Sequence, residues 1–396
     1  MAIAQKIDTF MEQSSWIRRM FEEGQKLKKE FGSESVYDFS LGNPNLAPPE
    51  EFVSLMKKTA AEEQVGVHGY MSNVGFEETR SAVASHITET QGIQIFSDQV
   101  VMTCGAAGGL NVVFKTLLDP GDEVIIPVPC FMEYRFYVDN AGGTVRFVPT
   151  GPDFSLDLEA IERAINHRTK AILINSPNNP TGKVYNDDTI EELAVLLERK
   201  ASELNRELYL LSDEPYRDIV YDGAAVPGIL ASYRNSIMAM SWSKSLSIPG
   251  ERIGYLAVNP GISDCEKLLK GLSLVTRILG FVNAPAFMQR VVARLQGVSV
   301  PVEEYRRKRD LLCDGLARAG YEVVKPEGAF YLFMKSPLED DVGFVKALQQ
   351  KKILVVPGSG FGGPGHIRIA YCVDDATIAD AMAGFGEVLQ GIKSAS

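Results

Sequence analysis

Six short apolar runs that alternate with mostly helical stretches constrain the fold of this chain more than any other feature. They lie near residues 100–103, 124–128, 171–175, 208–212, 237–242 and 254–258. This alternation is typical of a doubly wound α/β sheet, in which helices cover both faces of a mostly parallel sheet. Ligands of such sheets bind in the crevice outside the carboxyl ends of the strands. The residues that follow each run are therefore the candidates for a functional site.

One lysine follows the run at 237–242, in the sequence S-W-S-K-S at residues 241–245. The amine of a lysine can condense with an aldehyde to give a Schiff base. The spacing puts Ser241 and Lys244 on one side of the turn, and Arg252 lies eight positions further on. A hydroxyl and a guanidinium beside a reactive amine suit a phosphorylated aldehyde. The alternative is that Lys244 is a solvated loop lysine.

The segment 104–109, with the sequence C-G-A-A-G-G, stands between the first run and a helix predicted over residues 110–118. A loop of this kind presents backbone N–H groups and the positive end of a helix dipole to an anion. Its small side chains let a phosphate approach the backbone. A tight packed turn is the alternative. A Walker A loop is excluded because no Gly-Lys-Ser/Thr follows.

Three further polar residues stand beside apolar runs. Asn179 lies in the turn N-N-P-T-G after the run at 171–175, Asp213 follows the run at 208–212, and Arg368 lies in a strand predicted over 367–371. A charged group in such a place needs a partner, and a guanidinium binds a carboxylate in bidentate fashion. The alternatives are a plain turn for Asn179, a helix N-cap for Asp213 and an internal ion pair for Arg368.

Together these motifs resemble those of the fold-type I aminotransferases that depend on pyridoxal phosphate (PLP), of class I/II and similar to aspartate aminotransferase. The resemblance extends from Gly42 to Arg368, in the family's order and with similar spacings. It implies an α/β fold of the type I PLP-transferases, with a mostly parallel doubly wound sheet in a large domain over residues 49–290. Residues 1–48 and 291–396 would form a smaller α+β domain. The implied activity moves an amino group between an L-amino acid and a 2-oxo acid.

The resemblance also assigns roles to single residues. Lys244 would form the internal aldimine with PLP and then move the proton between the substrate Cα and the cofactor. Asp213 would keep the pyridine nitrogen of the cofactor protonated, which makes its ring an electron sink, while Asn179 and Tyr216 would contact the ring oxygen. The remaining contacts would be Gly105, Ala106, Ala107, Ser241 and Arg252 at the phosphate, Tyr70 at the phosphate from the second subunit of a homodimer, Phe131 against the ring, and Gly42, Asn179 and Arg368 at the substrate.

Two other functions use the same residues. A PLP-dependent C–S lyase, or a related enzyme that eliminates a group at Cβ, would need the same pocket. A non-catalytic regulator that binds PLP would also retain it. The regulator is disfavoured because no DNA-binding module precedes residue 12 and the net charge is −11.

Composition limits the partners and the compartment. The acidic balance argues against nucleic acid and anionic membranes as partners. Five cysteines at wide spacings, without a C-x-x-C, indicate free thiols and a reducing, cytoplasmic location. Four histidines without clustering indicate that no metal site is present. No signal peptide and no membrane-spanning run is predicted.

Local patterns predict the elements outside the main sheet. They favour an amphipathic helix over residues 12–31, helices over 303–319 and 342–350, and strands over 321–325, 329–334 and 353–356. The basic run R-R-K-R at 306–309 is expected on a solvated helix face. The match to G-x-G-x-x-G at 358–363 is not a dinucleotide fingerprint, because a strand rather than a helix follows it.

Two finer expectations concern peptide geometry and substrate. The family often has cis bonds at the positions of Asn179-Pro180 and Val128-Pro129, so cis bonds are expected at both. Relatives specific for dicarboxylates add a second arginine from the neighbouring subunit. The best register here places Ile278 at that position, with Arg277 one residue away. Neutral amino donors are therefore expected to be at least as good as aspartate.

Overall fold

The structure, a computed structural model, describes residues 2–12, 16–62 and 65–395. Its strands are β1 (Tyr37–Asp38), β2 (Val100–Thr103), β3 (Glu123–Val128), β4 (Thr144–Pro149), β5 (Thr169–Asn175), β6 (Tyr209–Asp213), β7 (Ser236–Ser241), β8 (Gly254–Val258), β9 (Tyr331–Lys335), β10 (Ile353–Leu354), β11 (Val356–Pro357) and β12 (His366–Ala370). Its helices are α1 (Gln5–Glu12), α2 (Trp16–Phe31), α3 (Glu50–Ala60), α4 (Glu77–Gln91), α5 (Gly105–Leu117), α6 (Tyr134–Asn140), α7 (Leu158–Ala164), α8 (Asp187–Leu204), α9 (Ile229–Ser232), α10 (Trp242–Ser245), α11 (Cys265–Ile278), α12 (Ala286–Val292), α13 (Val302–Ala319), α14 (Asp341–Gln350) and α15 (Asp375–Ala395).

All six apolar runs are strands of one seven-stranded sheet, with the order β2-β8-β7-β6-β5-β3-β4. Strand β8 is antiparallel to both of its neighbours, and the other pairs are parallel. The predicted α/β fold with a mostly parallel sheet is confirmed. The seventh strand, β4, is absent from the prediction because it lies at the sheet edge, where mostly exposed side chains interrupt the apolar pattern.

The register of this sheet brings the ends of its central strands together. Asn175, the last residue of β5, lies beside Asp213, the last residue of β6, and Asp213 lies beside Ala239 of β7. Strand β7 ends at Ser241 and continues directly into α10, which carries Lys244. Polar residues that are far apart in the sequence therefore meet at one edge of the sheet.

A smaller antiparallel sheet has the order β11-β12-β9, and β1 pairs with β10 in parallel. The apolar side chains around it form a cluster that joins Met20, Phe39 and three residues between 216 and 221 to residues between 300 and 389. The strand predicted over 321–325 is wrong, since no described residue pairs with this segment in a sheet. Its alternation arises because Tyr321 packs on the cluster while Val324 is exposed, which does not require a partner strand.

The helix after β2 begins five residues earlier than predicted, so the expected loop at 104–109 is wrong. Helix α5 begins at Gly105 and includes the small residues. Glycines lower the helix propensity of this stretch, but the close packing of α5 on the sheet requires them. A Cβ on Gly109 would lie 2.9 Å from Cδ2 of Leu256, a residue of β8. Packing against the sheet therefore makes residues 105–109 helical, although their local propensity disfavours a helix.

Helices α13 and α14 lie where the sequence predicts helices, and α2 accounts for residues 16–31 of the predicted helix over 12–31. Residues 13–15 of that prediction lie outside the described residues. A strand, β12, follows the glycine-rich segment 358–363, as expected from its rejection as a dinucleotide fingerprint. Within the parts of the chain that the structure describes, no helix combines the length and apolar character needed to cross a bilayer.

The basic run at 306–309 forms a solvated face only in part. Lys308 and Arg309 on α13 are buried, with 5% and 3% of their surfaces exposed. The amine of Lys308 lies 3.1 Å from Asp375, and the guanidinium of Arg309 lies 2.6 Å from Asp222. Buried charges require such partners, and these come from distant parts of the chain that the local pattern does not reveal.

Candidate active site

A cavity of about 280 Å³ opens at the carboxyl ends of β5, β6 and β7. We call it the pocket. Most of the predicted site residues line it: Gly42, Ala106, Ala107, Phe131, Asn179, Asp213, Tyr216, Ser241, Lys244, Arg252 and Arg368. Eight further residues complete the lining: Leu41, Tyr134, Tyr137, Asn175, Pro215, Ser243, Pro249 and Tyr331. The structure thus brings together residues from both sheets around one space.

Lys244 projects into the pocket from the short helix α10. Its amine donates a hydrogen bond of 2.8 Å to the carbonyl oxygen of Gly42. Burial lowers the pKa of Lys244 to about 8; the positive charges of Arg368 and Arg252 act in the same direction, and Cys372 opposes them. The amine therefore reaches its neutral, nucleophilic form near physiological pH, which a solvated lysine does not.

Asp213 is a buried carboxylate with one oxygen bonded and one free. Its Oδ2 accepts a 2.6 Å hydrogen bond from the hydroxyl of Tyr134, whereas its Oδ1 has no partner among the described residues. Burial raises the pKa of Asp213 to about 7, and the bond from Tyr134 opposes this rise. Asp213 ends β6 and does not cap a helix. An unpaired, buried acceptor that lines a cavity is a site for a donor from a ligand.

The side chain of Asn175 connects the backbone at Asp213 to the backbone at Asn179. Its Nδ2 donates to the carbonyl oxygen of Asp213 at 2.7 Å, and its Oδ1 accepts from the amide of Asn179 at 2.7 Å. The bonds Val128-Pro129 and Asn179-Pro180 are cis, as predicted, and Ser176-Pro177 is a third cis bond. Asn179 lines the pocket beside the end of β5.

The N-terminus of α5 and Arg252 form a cationic corner of the pocket. Arg252 Nη1 donates to the carbonyl oxygen of Pro249 at 3.0 Å. A Cβ on Gly105 would lie 2.8 Å from Nη2 of Arg252, and the φ angle of Gly105 is +74°. Gly105 therefore needs both its missing side chain and its conformational freedom. The first N–H groups of a helix have no partner within it, so this corner is suited to an anion.

Arg368 lies on the central strand of the small sheet and is 1% exposed. Its guanidinium donates to Oδ1 of Asn179 at 3.0 Å and to the carbonyl oxygen of Ser40 at 2.6 Å. Its Nε has no partner among the described residues, and both of these acceptors are neutral. The alternative of an internal ion pair is therefore wrong. A buried guanidinium that faces a cavity without a counter-ion is suited to bind the carboxylate of a ligand.

Phe131 and Tyr70 differ in their relation to the pocket. Phe131 lines it and packs edge-on against Tyr134, with ring centroids 5.5 Å apart. Tyr70 does not line it and is 92% exposed. Of the predicted site residues, Tyr70 and Gly105 alone stay outside the described lining, and Gly105 does so as the first residue of the helix that forms the cationic corner.

Of the eight lining residues that the sequence analysis did not predict, three make hydrogen bonds to Asp213, Asn179 or Tyr216: Tyr134, Asn175 and Tyr331. Asn175 had a usable signal, since it ends an apolar run directly before the turn with Asn179. Tyr134 and Tyr331 had none, because buried tyrosines beside strands are ordinary core residues in sequence. Only the geometry shows that the hydroxyl of Tyr331 lies 2.7 Å from that of Tyr216, and the hydroxyl of Tyr134 beside Asp213.

Comparisons with known proteins identify the family of this chain. The model of the family described as aminotransferase class I and II matches residues 34–385. A probable aspartate/prephenate aminotransferase of Thermus aquaticus is 34% identical over 88% of this chain and 90% of its own length. An aromatic-amino-acid aminotransferase of Thermococcus litoralis is 30% identical over 98% and 99% of the two chains.

Solved structures extend the agreement to three dimensions. The crystal structure of an amino transferase from Eubacterium rectale superposes with a TM-score of 0.95 at 40% identity, and the match covers 99% of each chain. The family match spans most of the chain, and the pocket contains a lysine, a buried carboxylate and a cationic corner. The chain therefore belongs to the class I and II aminotransferases, and it is an aminotransferase that depends on pyridoxal phosphate.

Proposed function

We propose that this enzyme transfers the amino group of neutral L-amino acids to a 2-oxo acid, with Lys244 as the lysine that carries PLP. The observation that carries the assignment of the pocket is the free, buried Oδ1 of Asp213. Among the groups of PLP, only the pyridine nitrogen in its protonated form offers a charged donor to such an oxygen. When bound, PLP supplies an aldehyde that takes up the amino group and a ring that withdraws electrons.

The charges of the pocket fit the two ends of this cofactor. The carboxylate of Asp213, oriented by Tyr134, would hold a proton on the ring nitrogen. The start of α5 and the guanidinium of Arg252 would bind the phosphate, together with the hydroxyl of Ser241. The alternative of a tight packed turn at 104–109 does not apply, because α5 begins at Gly105.

Lys244 would act as both nucleophile and proton carrier. Its lowered pKa makes the neutral amine available, and its Nζ lies at the side of the pocket formed by Gly42. Its free amine would take a proton from the substrate Cα and deliver it to the aldehyde carbon of the cofactor. The burial that lowers the pKa also excludes water from this proton.

The substrate carboxylate would bind at Arg368. The planar guanidinium is held by Asn179 and Ser40 through neutral acceptors, so its positive charge is uncompensated. A bidentate carboxylate would supply the missing charge. The backbone of Gly42 and the amide of Asn179 would border the same end of the substrate.

We propose a homodimer in which Tyr70 reaches the phosphate of the partner's cofactor. The C-terminal end of the segment 65–75 is anchored to its own chain, since the carbonyl oxygen of Val74 accepts a hydrogen bond of 2.9 Å from the amide of Met102. Its Val65 and Tyr70 are nevertheless almost fully exposed. Exposed apolar and aromatic side chains on an anchored segment favour a surface that a second subunit covers.

The division into domains and the cellular location are also proposals. The division into a large domain over 49–290 and a small domain of 1–48 with 291–396 is supported by the apolar cluster that joins Phe39 to residues beyond 300, in which only residues 216–221 come from the large domain. A cytoplasmic location is supported by the five cysteines, all of which are described and none of which forms a disulfide.

The side chain of the substrate is the least constrained part of the proposal. Arg277 and Ile278 end helix α11 and are both exposed, with Ile278 at 59%. On a helix, adjacent residues point about 100° apart, so the two side chains do not reach the same place. If Ile278 occupies the position of the dicarboxylate-binding arginine, an apolar contact replaces a charged one. This supports neutral donors over aspartate.

A panel of amino donors with 2-oxoglutarate and pyruvate as acceptors tests the proposal. Formation of the new amino acid with neutral donors, at kcat/KM values equal to or above that for aspartate, is the expected result. Pyruvate and ammonia from a donor with a leaving group at Cβ would instead indicate elimination. Binding of PLP without either reaction would indicate a regulator.

A further inference from the structure

A pair of tyrosine hydroxyls connects the two sheets inside the pocket. Tyr331 lies on β9 of the small sheet, and Tyr216 follows β6 of the large sheet. Their hydroxyl oxygens are 2.7 Å apart, and both side chains are buried. The rings meet edge to face, with centroids 5.6 Å apart. The distance and the burial make this a hydrogen bond that water does not replace.

Tyr331 also contacts two other parts of the site. The guanidinium of Arg368 stacks over its ring, at 4.6 Å from the centroid. A side chain on Gly42 would overlap its hydroxyl, and the carbonyl of Gly42 accepts the hydrogen bond from Lys244. Tyr331 thus contacts Arg368, which is proposed to bind the substrate carboxylate, and Tyr216, which is proposed to bind the ring oxygen of the cofactor. It also lies against Gly42, which accepts the hydrogen bond from Lys244.

The direction of the hydroxyl bond follows from proton count. Each phenol has one proton and can therefore donate one hydrogen bond. The geometry of the pair by itself allows either hydroxyl to donate. If Tyr216 donates its proton to the ring oxygen of the cofactor, as the family resemblance implies, the 2.7 Å bond between the two hydroxyls is donated by Tyr331.

We propose that Tyr331 is a positioning residue for the transamination: its hydroxyl donates to that of Tyr216, which then donates more strongly to the ring oxygen of PLP. A chain of hydrogen bonds polarises each member, so the second bond gains from the first. This inference depends on the proposed contact between Tyr216 and the cofactor. The ring of Tyr331 additionally supports Arg368, and that part does not need the hydroxyl.

Other ionisable groups face the same pair. They are Lys244 on α10, Arg368 on β12, Asp213 at the end of β6, and Cys372 after β12. A substitution that removes only the hydroxyl of Tyr331 leaves all of these side chains in place. Phenylalanine at position 331 therefore separates the donated hydrogen bond from the stacking on Arg368 and from the charge of the neighbours.

The test is the pH midpoint at which the cofactor absorbance of the holoenzyme changes. A bond to the ring oxygen stabilises its negative charge and so lowers this midpoint. Tyr331→Phe is expected to raise the midpoint by about 0.5 pH unit, since a neutral hydrogen bond changes an equilibrium by a factor of about 3 to 10. Tyr216→Phe is expected to raise it further, by about 1 unit or more. In the Tyr216→Phe background, Tyr331→Phe is expected to add no shift, because no hydroxyl remains to transmit it.

The matched control is Tyr321→Phe. Tyr321 is a buried tyrosine of the same apolar cluster, and its hydroxyl donates to the carbonyl of Phe385 at 2.9 Å, outside the pocket. Its loss is expected to reduce stability without moving the midpoint. If Tyr331→Phe does not fold, a tyrosine fluorinated beside its hydroxyl can be placed at position 331, since it retains the hydrogen bond. This fluorinated tyrosine is a stronger acid and therefore a stronger donor, so it is expected to lower the midpoint.

The outcomes separate this inference from the function on which it depends. A midpoint that stays or falls in Tyr331→Phe, while Tyr216→Phe raises it, overturns the role of Tyr331 alone. A midpoint that stays in both variants overturns the contact of Tyr216 with the ring oxygen as well. Equal rises in Tyr331→Phe and Tyr321→Phe would show a general structural effect and would also overturn the inference.

Discussion

The pocket and the segment 65–75 are organised in opposite ways. In the pocket, the chain's own hydrogen bonds hold the polar groups: Tyr134 orients Asp213, Asn175 supports Asn179, and Gly42 accepts from Lys244. In the segment, Tyr70 is exposed although the adjoining residues are anchored. The pocket leaves single atoms free, such as Oδ1 of Asp213, whereas the segment leaves a whole side chain free.

The difference indicates two kinds of missing partner. A buried acceptor without a donor costs about 1–3 kcal/mol, so a carboxylate like Asp213 persists when a ligand completes it. An exposed tyrosine costs little, and a large surface must cover it before it becomes useful. We therefore expect changes in the pocket to act within one subunit and changes at Tyr70 to act across two.

The largest expected effect is that of Lys244→Ala. We expect kcat to fall by about 10⁴-fold or more, because no other described lysine lines the pocket, while the fold stays intact. Borohydride treatment of the wild-type holoenzyme should attach the cofactor to Lys244 alone. Lys183→Ala is the control, since Lys183 is bonded to Asp153 and Glu327 outside the pocket. Full activity in Lys244→Ala, or a label at another lysine, would show that the site is wrongly assigned.

Asp213→Asn is expected to reduce kcat by about 10³-fold, since an amide does not stabilise a proton on the cofactor ring nitrogen. The affinity for PLP should fall as well, which a fluorescence titration of the apoenzyme measures. Asp218→Asn is a suitable comparison, because burial also raises the pKa of Asp218 but it does not line the pocket. Equal losses in the two variants would contradict a specific role for Asp213.

The same substitution is expected to stabilise the apoenzyme. The pKa of Asp213 rises from 3.8 to about 7 on folding, so the folded state disfavours its charge. Native stability therefore falls as pH rises from about 4 to 7, by up to roughly 4 kcal/mol. In urea unfolding, the free energy of unfolding of Asp213→Asn should increase relative to that of wild type between about pH 4 and 7. Above pH 7 the difference between the two should stay constant. An advantage that grows toward acid pH would reverse the sign and refute the argument.

At Tyr70, we expect a loss of about 10- to 100-fold in PLP affinity for Tyr70→Ala. Mixed dimers give the sharper test. In a dimer of one Tyr70→Ala and one Lys244→Ala subunit, one of the two sites would have both residues intact. Random mixing after subunit exchange should then restore about a quarter of wild-type activity. No recovery, or a fully active monomer at nanomolar dilution, would place Tyr70 outside the partner's site.

The smallest expected effect is that of Arg277→Ala. We expect the ratio of kcat/KM for aspartate to that for alanine to change by less than about threefold, since the proposed register places Ile278 at the matching position. An aromatic donor serves as a further reference. A large loss confined to aspartate would show that Arg277 reads a second carboxylate, and it would overturn the register used here.

Six of the seven strands of the main sheet, the edge at which the site lies and most of the residues that line the pocket could be predicted from the sequence. Asp213, Asn179 and Lys244 were accessible to prediction because each stands at or just after a continuous apolar run. Such runs are local, and the rule that ligands bind at the carboxyl ends of the strands turns a position in sequence into a position in space.

Tertiary structure alone decided the features that depend on distant segments. Helix α5 includes glycines because it packs closely on Leu256 of β8. Lys308 can be buried because its amine donates hydrogen bonds to the carbonyl oxygen of Val373 and to the carboxylate of Asp375. The bond between Tyr331 and Tyr216 joins residues 115 positions apart. Local patterns record which side chains are apolar, but a hydrogen bond between two buried hydroxyls exists only once the backbone has brought both within 3 Å or so.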